Sequence, residues 1–454
     1  MKYIFLTASL ICAIALSGYA QQAPPPNTPV NFSLADCIKY AYDHQDSVKN
    51  ANLDVQSAEY KVKETIGSGL PQINGSISFQ DFLKPPATVG PNVFGPPPID
   101  LNAPLVKFPF GAVKYNNTYS LQASQLLFSG TFLVGLQAVK TFRELSQRSL
   151  VRSKIETNVN VTKAYYQALV SNEQVKLLDA NVIQLKQTLD QTTQQNKQGF
   201  VEKIDVDRLS VQYNNLITNR DNVERSLVLN IQMLKFQMGM PIEQPLTLTD
   251  KLESIDMQNQ AAASALDTAF YHNRIEYKLL ETNITLNQLD AKSKKAAFLP
   301  TVSLNGGFGE VFQENQFKYL YNNMYPNSFI GLSINIPIFS GGQRINQLKQ
   351  SQISVMKAQN DLHNASNGFK LQANAARITF YNSMQSLNNQ KRSRELAQEV
   401  LRVSKIKYQQ GVGSSIEVTQ AQTELENSDN QYIQALYNAL ISKVDLDKAY
   451  ARIN

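Results

Sequence analysis

The sequence has no tryptophan, two cysteines and three histidines in 454 residues. Cys12 falls inside an apolar N-terminal stretch, so Cys37 is the only cysteine left beyond it, and an internal disulfide is excluded. There is no HExxH and no paired Cys/His spacing. His44, His272 and His363 therefore read as structural residues, and no metal site is expected. A glycine-rich phosphate loop and a nucleophile elbow are also missing. Nothing points to an enzyme, a catalytic residue or a cofactor. Beyond the first twenty residues no run of about 18 apolar residues occurs, which excludes a membrane-spanning helix. The net charge is only +6. No concentrated Lys/Arg patch accompanies it, so nucleic acid is not an expected partner. Asn and Gln are abundant in the helical parts and argue against thick buried cores there.

The N-terminus is expected to be removed. Lys2 gives a positive start, Ile4 to Leu16 is mostly apolar, and Gly18-Tyr19-Ala20 supplies small residues for cleavage between Ala20 and Gln21. Leu10 and Ile11 precede Cys12, where lipid modification would want a small residue, which argues against a lipoprotein.

What is present is organised around Ser328–Gly342. Ile330, Leu332, Ile334, Ile336 and Ile338 alternate with Gly331, Ser333 and Asn335. This is a strand with one apolar and one polar face. Phe339-Ser340-Gly341-Gly342 ends it, and a long Gln/Asn/Ala/Leu-rich segment without proline follows to Gln410, read as helix. Tyr119–Phe128 does the same, ending in Ser129-Gly130.

The chain is thus read as two copies of one unit. Ala41-Tyr42-Asp43-His44-Gln45 matches Ala269-Phe270-Tyr271-His272-Asn273, and Leu70-Pro71 matches Leu299-Pro300. Phe128-Ser129-Gly130 matches Phe339-Ser340-Gly341, and Gln198-Gly199 matches Gln410-Gly411. The offset drops once, by about 18 residues, so copy one carries a longer loop. That loop is Lys84–Lys114, with eight prolines, expected to be an exposed, irregular excursion. The expected layout is a signal peptide over 1–20 and a first repeat over 21–238. The first repeat holds strands at about 72–82 and 115–128 and a helical hairpin at about 130–236. A linker spans 239–262, with a short strand at Leu246–Leu248. The second repeat, 263–454, holds strands at about 301–312 and 328–339 and a hairpin at about 342–452. Each repeat opens with a helix, roughly Leu34–Ile66 and Ala263–Ala297.

The long helices carry a seam of heptad spacing. Val175, Leu178, Val182, Leu185 and Leu189 run up one arm, and Val206, Leu209, Tyr213, Leu216, Val223 and Leu227 return along the other. Copy two repeats the return register at Val418, Ala421, Leu425, Ser428, Ala435 and Ala439. Gly199 and Gly411 mark the turns, since glycine suits a helix C-terminus.

Four strands with one apolar face cannot form a soluble sandwich, and nothing else in the chain is apolar enough to cover them. Lipid would, provided the sheet closes. The smallest bacterial membrane barrels use about eight strands, so the chain must oligomerise. A narrow seam with polar flanks suits a wall one helix thick, wet on both sides. This pattern resembles the TolC family of outer-membrane efflux and secretion channels. The likeness rests on the two-copy layout, the Leu-Pro entry, the Phe-Ser-Gly exit and a tip signature, Gly199…Asp205-Val206 and Gly411…Glu417-Val418. The resemblance implies a mainly α fold with a transmembrane β-barrel. A homotrimer would form a 12-stranded barrel in the outer membrane of a Gram-negative-type cell and a helical tunnel across the periplasm. The function implied is that of a passive exit duct for tripartite efflux or type I secretion. Its partners would be outer-membrane lipid, a periplasmic adaptor and an inner-membrane pump. The rival reading is a barrel-anchored coiled-coil structural or adhesive surface protein.

Carried over by position, Tyr408 matches a gate tyrosine, Asp205 its carboxylate partner and Glu417 an acidic ring position. Gly413 stands where an arginine can join the gate linkage, and Gln420 where a second acidic ring can lie. Gly199, Phe200, Gly411 and Val412 are the expected adaptor-docking tips. Simpler roles compete for the carboxylates. Ser414-x-x-Glu417 is a capping box, and Asp205 sits in a first helical turn where the dipole favours it.

Overall fold

A computed structural model of the chain describes residues 30–85, 88–90, 106–108, 113–252 and 270–453. The expected signal peptide with its Ala20/Gln21 cleavage, most of Lys84–Lys114 and the expected helix start at Ala263 lie outside the described residues.

In chain order the elements begin with strand β1 (Val30–Phe32), helices α1 (Leu34–His44) and α2 (Asp46–Gly67), and strands β2 (Gln72–Asp81), β3 (Thr88–Gly90), β4 (Val106–Phe108) and β5 (Tyr115–Phe128). Helices α3 (Gly130–Lys197) and α4 (Lys203–Met238), strand β6 (Leu246–Leu248) and helix α5 (Ile275–Ala296) follow. Strands β7 (Thr301–Glu314) and β8 (Tyr325–Asn335) lead into helices α6 (Gln343–Gln409) and α7 (Ser415–Ala449). The chain divides into two compact units, one of Met1–Ala41 with Val161–Ile255 and the other of Tyr42–Asn160 with Asp256–Asn454.

In the first unit the seam residues of the α3–α4 hairpin form the core. Leu178, Leu185, Leu189, Leu209 and Leu216 are buried together, flanked by Val182, Val206, Tyr213 and Val223. Beside the base of this hairpin, β1 pairs in parallel with β6. The strand in the linker was legible from sequence, but its partner β1 was not. Asp250 ties the region together by accepting from Leu34 N at 2.9 Å and from the Tyr165 hydroxyl at 2.9 Å. Cys37 is fully buried, and desolvation pushes its thiol up to about 12.

In the second unit β2, β5, β7 and β8 form one antiparallel sheet in that order. The strands alternate, so the sheet has two unlike faces. Ile73, Ile77, Tyr119, Leu121, Phe308, Leu304, Ile330, Leu332 and Ile334 share one of them by register. Most of these apolar side chains are exposed. The opposite face carries Asn74, Ser76, Gln122, Asn305 and Ser333, with Ser76 Oγ 2.7 Å from Ser120 Oγ and Asn305 Nδ2 donating to Ser333 Oγ at 3.0 Å. Helix α6 pairs with α7 around Ala397, Leu401, Val418, Ala421 and Leu425.

Several boundaries differ from expectation. The first helix breaks at Gln45, whose backbone is extended and whose side chain caps α2 by accepting from Ser47 N at 2.6 Å. Helix α5 starts only at Ile275, because Arg274 is extended and held in place. Its guanidinium donates to Gln372 Oε1 at 2.7 Å, pairs with Glu276 and lies over the Phe369 ring. Strand β8 ends at Asn335 rather than near 339. Its last partner, Thr301, opens β7, and Pro337 has no N–H to extend the ladder. The excursion after β2, expected to be irregular, contains the antiparallel ribbon β3–β4.

Candidate gate and docking tips

Each helical hairpin turns by the same local device. Gly199 has φ +78° and Gly411 φ +74°, a conformation that costs a side-chain-bearing residue about 1–2 kcal/mol. At the first tip Gly199 N donates to Asn196 O at 3.0 Å and Phe200 N to Gln195 O at 2.9 Å. At the second, Gly411 N donates to Tyr408 O at 3.0 Å and Val412 N to Lys407 O at 3.0 Å. Both are Schellman motifs, in which the left-handed glycine lets the last carbonyls of the helix find donors. The residue after each glycine is thrown outward, leaving Phe200 77% and Val412 78% exposed. Each tip thus presents one bare apolar side chain on a fixed turn.

Past the first tip, Asp205 lies in the opening turn of α4, whose N-cap Glu202 makes no side-chain cap. Its carboxylate is mostly covered and stands 3.7 Å from Arg208 Nη1. Past the second tip, Ser414 caps α7 by accepting from Glu417 N at 3.2 Å. Glu417 and Gln420 are both exposed at this end of the hairpin. Tyr408 packs its ring against the seam cluster, and its buried hydroxyl has no hydrogen-bond partner among the described residues. The glycine at 413 is sterically committed, since a Cβ there would stand 3.0 Å from Lys407 Cβ and 3.0 Å from Tyr408 N. An arginine at this position would have to displace the turn.

Two further residues at the hairpin ends, Lys405 and Gln422, escaped the sequence reading. Leu401, Lys405 and Tyr408 follow spacings of four and three, so Lys405 continues the apolar stripe of α6. Burial drives its ammonium down to about 8. Gln422 on α7 is 1% exposed, and neither its amide nitrogen nor its oxygen has a partner among the described residues. Thr192, on the other hairpin, is buried, and its hydroxyl has no partner among the described residues. The spacing that placed Lys405 on the seam was visible in the sequence, but whether the polar atoms found partners was not. Farther from the tip, Arg394 donates to Asp429 at 2.7 Å, fastening α6 to α7.

Comparison with known proteins fits this architecture. Residues 38–239 and 279–452 match the family model described as outer membrane efflux protein. The chain belongs to the outer membrane efflux protein family. It is 24% identical over 344 residues to the outer membrane protein TolC of Salmonella enteritidis, covering 74% of this chain and 69% of that one. It is 22% identical over 325 residues to the proteases secretion protein PrtF of Dickeya chrysanthemi, covering 70% and 67%. The solved structure of CusC superposes with a TM-score of 0.73 at 18% identity, covering 95% of each chain. This family member is an outer-membrane exit duct of the efflux and type I secretion class, with its helices on the periplasmic side. Its relatives are channels rather than enzymes. Among the described residues no helix is long and apolar enough to cross a membrane, and no group of His, Cys, Asp and Glu is arranged to hold a metal ion.

Proposed function

We propose that three copies of the chain close one 12-stranded barrel, each giving β2, β5, β7 and β8. The observation that carries this reading is the four-stranded sheet itself. One face is mostly apolar and exposed, the other mostly polar, and among the described residues both edge strands, β2 and β8, have no outer neighbour. Bare edges and a bare apolar face are both costly in water, and closure within lipid removes both costs. The two strand-and-hairpin halves are then tandem copies. Detergent-solubilised protein should scatter light as a trimer and give single-channel current in a planar bilayer. A folded monomer without current would refute the barrel.

Phe200 and Val412, on their left-handed glycine turns, are the contacts we assign to a periplasmic adaptor linked to an inner-membrane pump. Asp205, Tyr408, Glu417 and Gln420 belong to the gate in this reading. Support comes from the buried polar atoms near the tips that lack partners among the described residues: Thr192 Oγ1, Tyr408 Oη and the Gln422 amide. A seam with unmet hydrogen-bonding capacity holds less firmly than an apolar one and gains new partners when it rearranges. Asp205 is the acceptor proposed for Tyr408 in the closed assembly. Glu417, exposed beside the tip, would ring the pore and favour cations.

A further inference from the structure

On the polar face of the sheet Phe329 interrupts a run of polar and glycine rows, while the other apolar residues of that face, Leu126 on one side and Val311 with Tyr325 on the other, lie two rows away. Registers across the four strands align Asn74, Gln122, Gly307 and Phe329 in a single row. The next row away from the hairpin turn linking β7 to β8 holds Gln72, Ser124, Asn305 and Gly331. The row on the other side holds Ser76, Ser120, Gly309 and Asn327. Phe329 is thus an aromatic side chain flanked by polar and glycine rows, and it remains 59% exposed. The ring does not stand free. It lies across Gly307, where an added Cβ would be 2.5 Å from Cε1 and 3.0 Å from Cζ. Only glycine leaves room for this pose, so Gly307 acts as the seat and Phe329 as the ring held on it, with one aromatic face left open.

We propose that Phe329 is a cargo-contacting residue on the inner wall of the barrel, where it offers a stacking surface to planar aromatic molecules, cationic ones in particular. This rests on the reading above that the polar face lines the lumen. An aromatic face attracts both flat rings and cations. In the rows beside it Ser76 bonds to Ser120 and Asn305 to Ser333, and those two rows offer no competing apolar surface. Three protomers would place three such rings at one level of the duct. They are too few to plug a barrel of this size, but enough to delay a solute that stacks.

Two measurements test the assignment. In the first, Phe329→Cys, Ser333→Cys and Ile330→Cys are each exposed, in bilayers, to a charged methanethiosulfonate from the barrel side. Native Cys37 is buried and does not interfere. Current should fall for Phe329→Cys and Ser333→Cys and stay level for Ile330→Cys. Modification of Ser333→Cys without Phe329→Cys would overturn the proposal while leaving the barrel intact. Modification of Ile330→Cys alone would overturn the barrel reading itself. In the second, ethidium added to the barrel side should block the current transiently. Phe329→Leu, which keeps bulk and fold but loses the ring face, should shorten the blocked times about fivefold, and Phe329→Tyr should keep them. Equal blocked times in Phe329→Leu and wild type would refute the stacking role.

Discussion

The Tyr408 hydroxyl gives the sharpest test of the gate because two readings predict opposite signs. A buried hydroxyl with no partner costs the fold about 1–3 kcal/mol in lost hydration. If it stays unpaired in the closed trimer, Tyr408→Phe removes that cost. The melting temperature should then rise, and resting conductance should not change. If it donates to the Asp205 carboxylate, the bond is charge-assisted and contributes about 1.5–3 kcal/mol to the closed state. At about 1.4 kcal/mol per factor of ten, losing it shifts each protomer about tenfold or more toward opening. We expect the second outcome: Tyr408→Phe raises resting conductance in planar bilayers and admits large antibiotics, with little loss of trimer stability. Asp205→Ala should do the same, and the double variant should exceed neither single one by much, giving a coupling of about 1–3 kcal/mol. Unchanged resting conductance in Tyr408→Phe, with a raised melting temperature, would refute the latch. The hydroxyl would then be only an unpaired group on the seam.

The docking surface should be probed at the exposed side chains and not at the glycines, because substituting Gly199 or Gly411 strains the turns and confuses folding with docking. Phe200→Asp with Val412→Asp should abolish export while trimer yield stays at the wild-type level; retained export would remove the tips from the adaptor interface. Glu417→Gln should weaken cation selectivity without changing resting conductance, because Ser414 supplies the helix cap. Unchanged reversal potentials would leave Glu417 without a pore role. Lys405 gives a pH signature. Its folded pKa, about 8, lies below the unfolded value, so between roughly pH 8 and 10.5 the unfolded chain holds more protons and stability rises with pH. Lys405→Met should flatten that rise in thermal melts, and an undiminished rise would place its origin elsewhere.

What the sequence made legible was what repeats along the chain. The period of two across Ile330 to Ile334 and the heptad run from Val175 to Leu189 are local patterns, and strand and helix followed from them. The ends of elements were less legible because they depend on partners far away in sequence. The apolar alternation runs on through Ile338, yet β8 stops at Asn335 because β7 begins at Thr301. Helix α5 waits until Ile275 because Arg274 is engaged by Phe369 and by Gln372, 98 residues downstream. The break at Gln45 had a local cause, a side-chain cap, but glutamine in an otherwise helical run gives little warning of it.

The candidate site divides along the same line. The tip glycines were legible because the demand for a left-handed residue is local, and both turns use it in the same way. Parity in β8 already put Phe329 on the polar face, but only the packed ring over Gly307 made it a surface rather than an exception. The state of the gate was the least legible part. Tyr408, Gln422 and Thr192 are ordinary residues in a polar-flanked helix, and nothing in their spacing says whether their polar atoms are satisfied. The distinction matters physically. A seam of leucine alone resists separation everywhere equally, whereas one whose polar atoms near the tips lack partners among the described residues is weakest at the tips, where the gate is proposed. The apolar cluster of Leu178, Leu185 and Leu216 can then hold the shaft while the ends move.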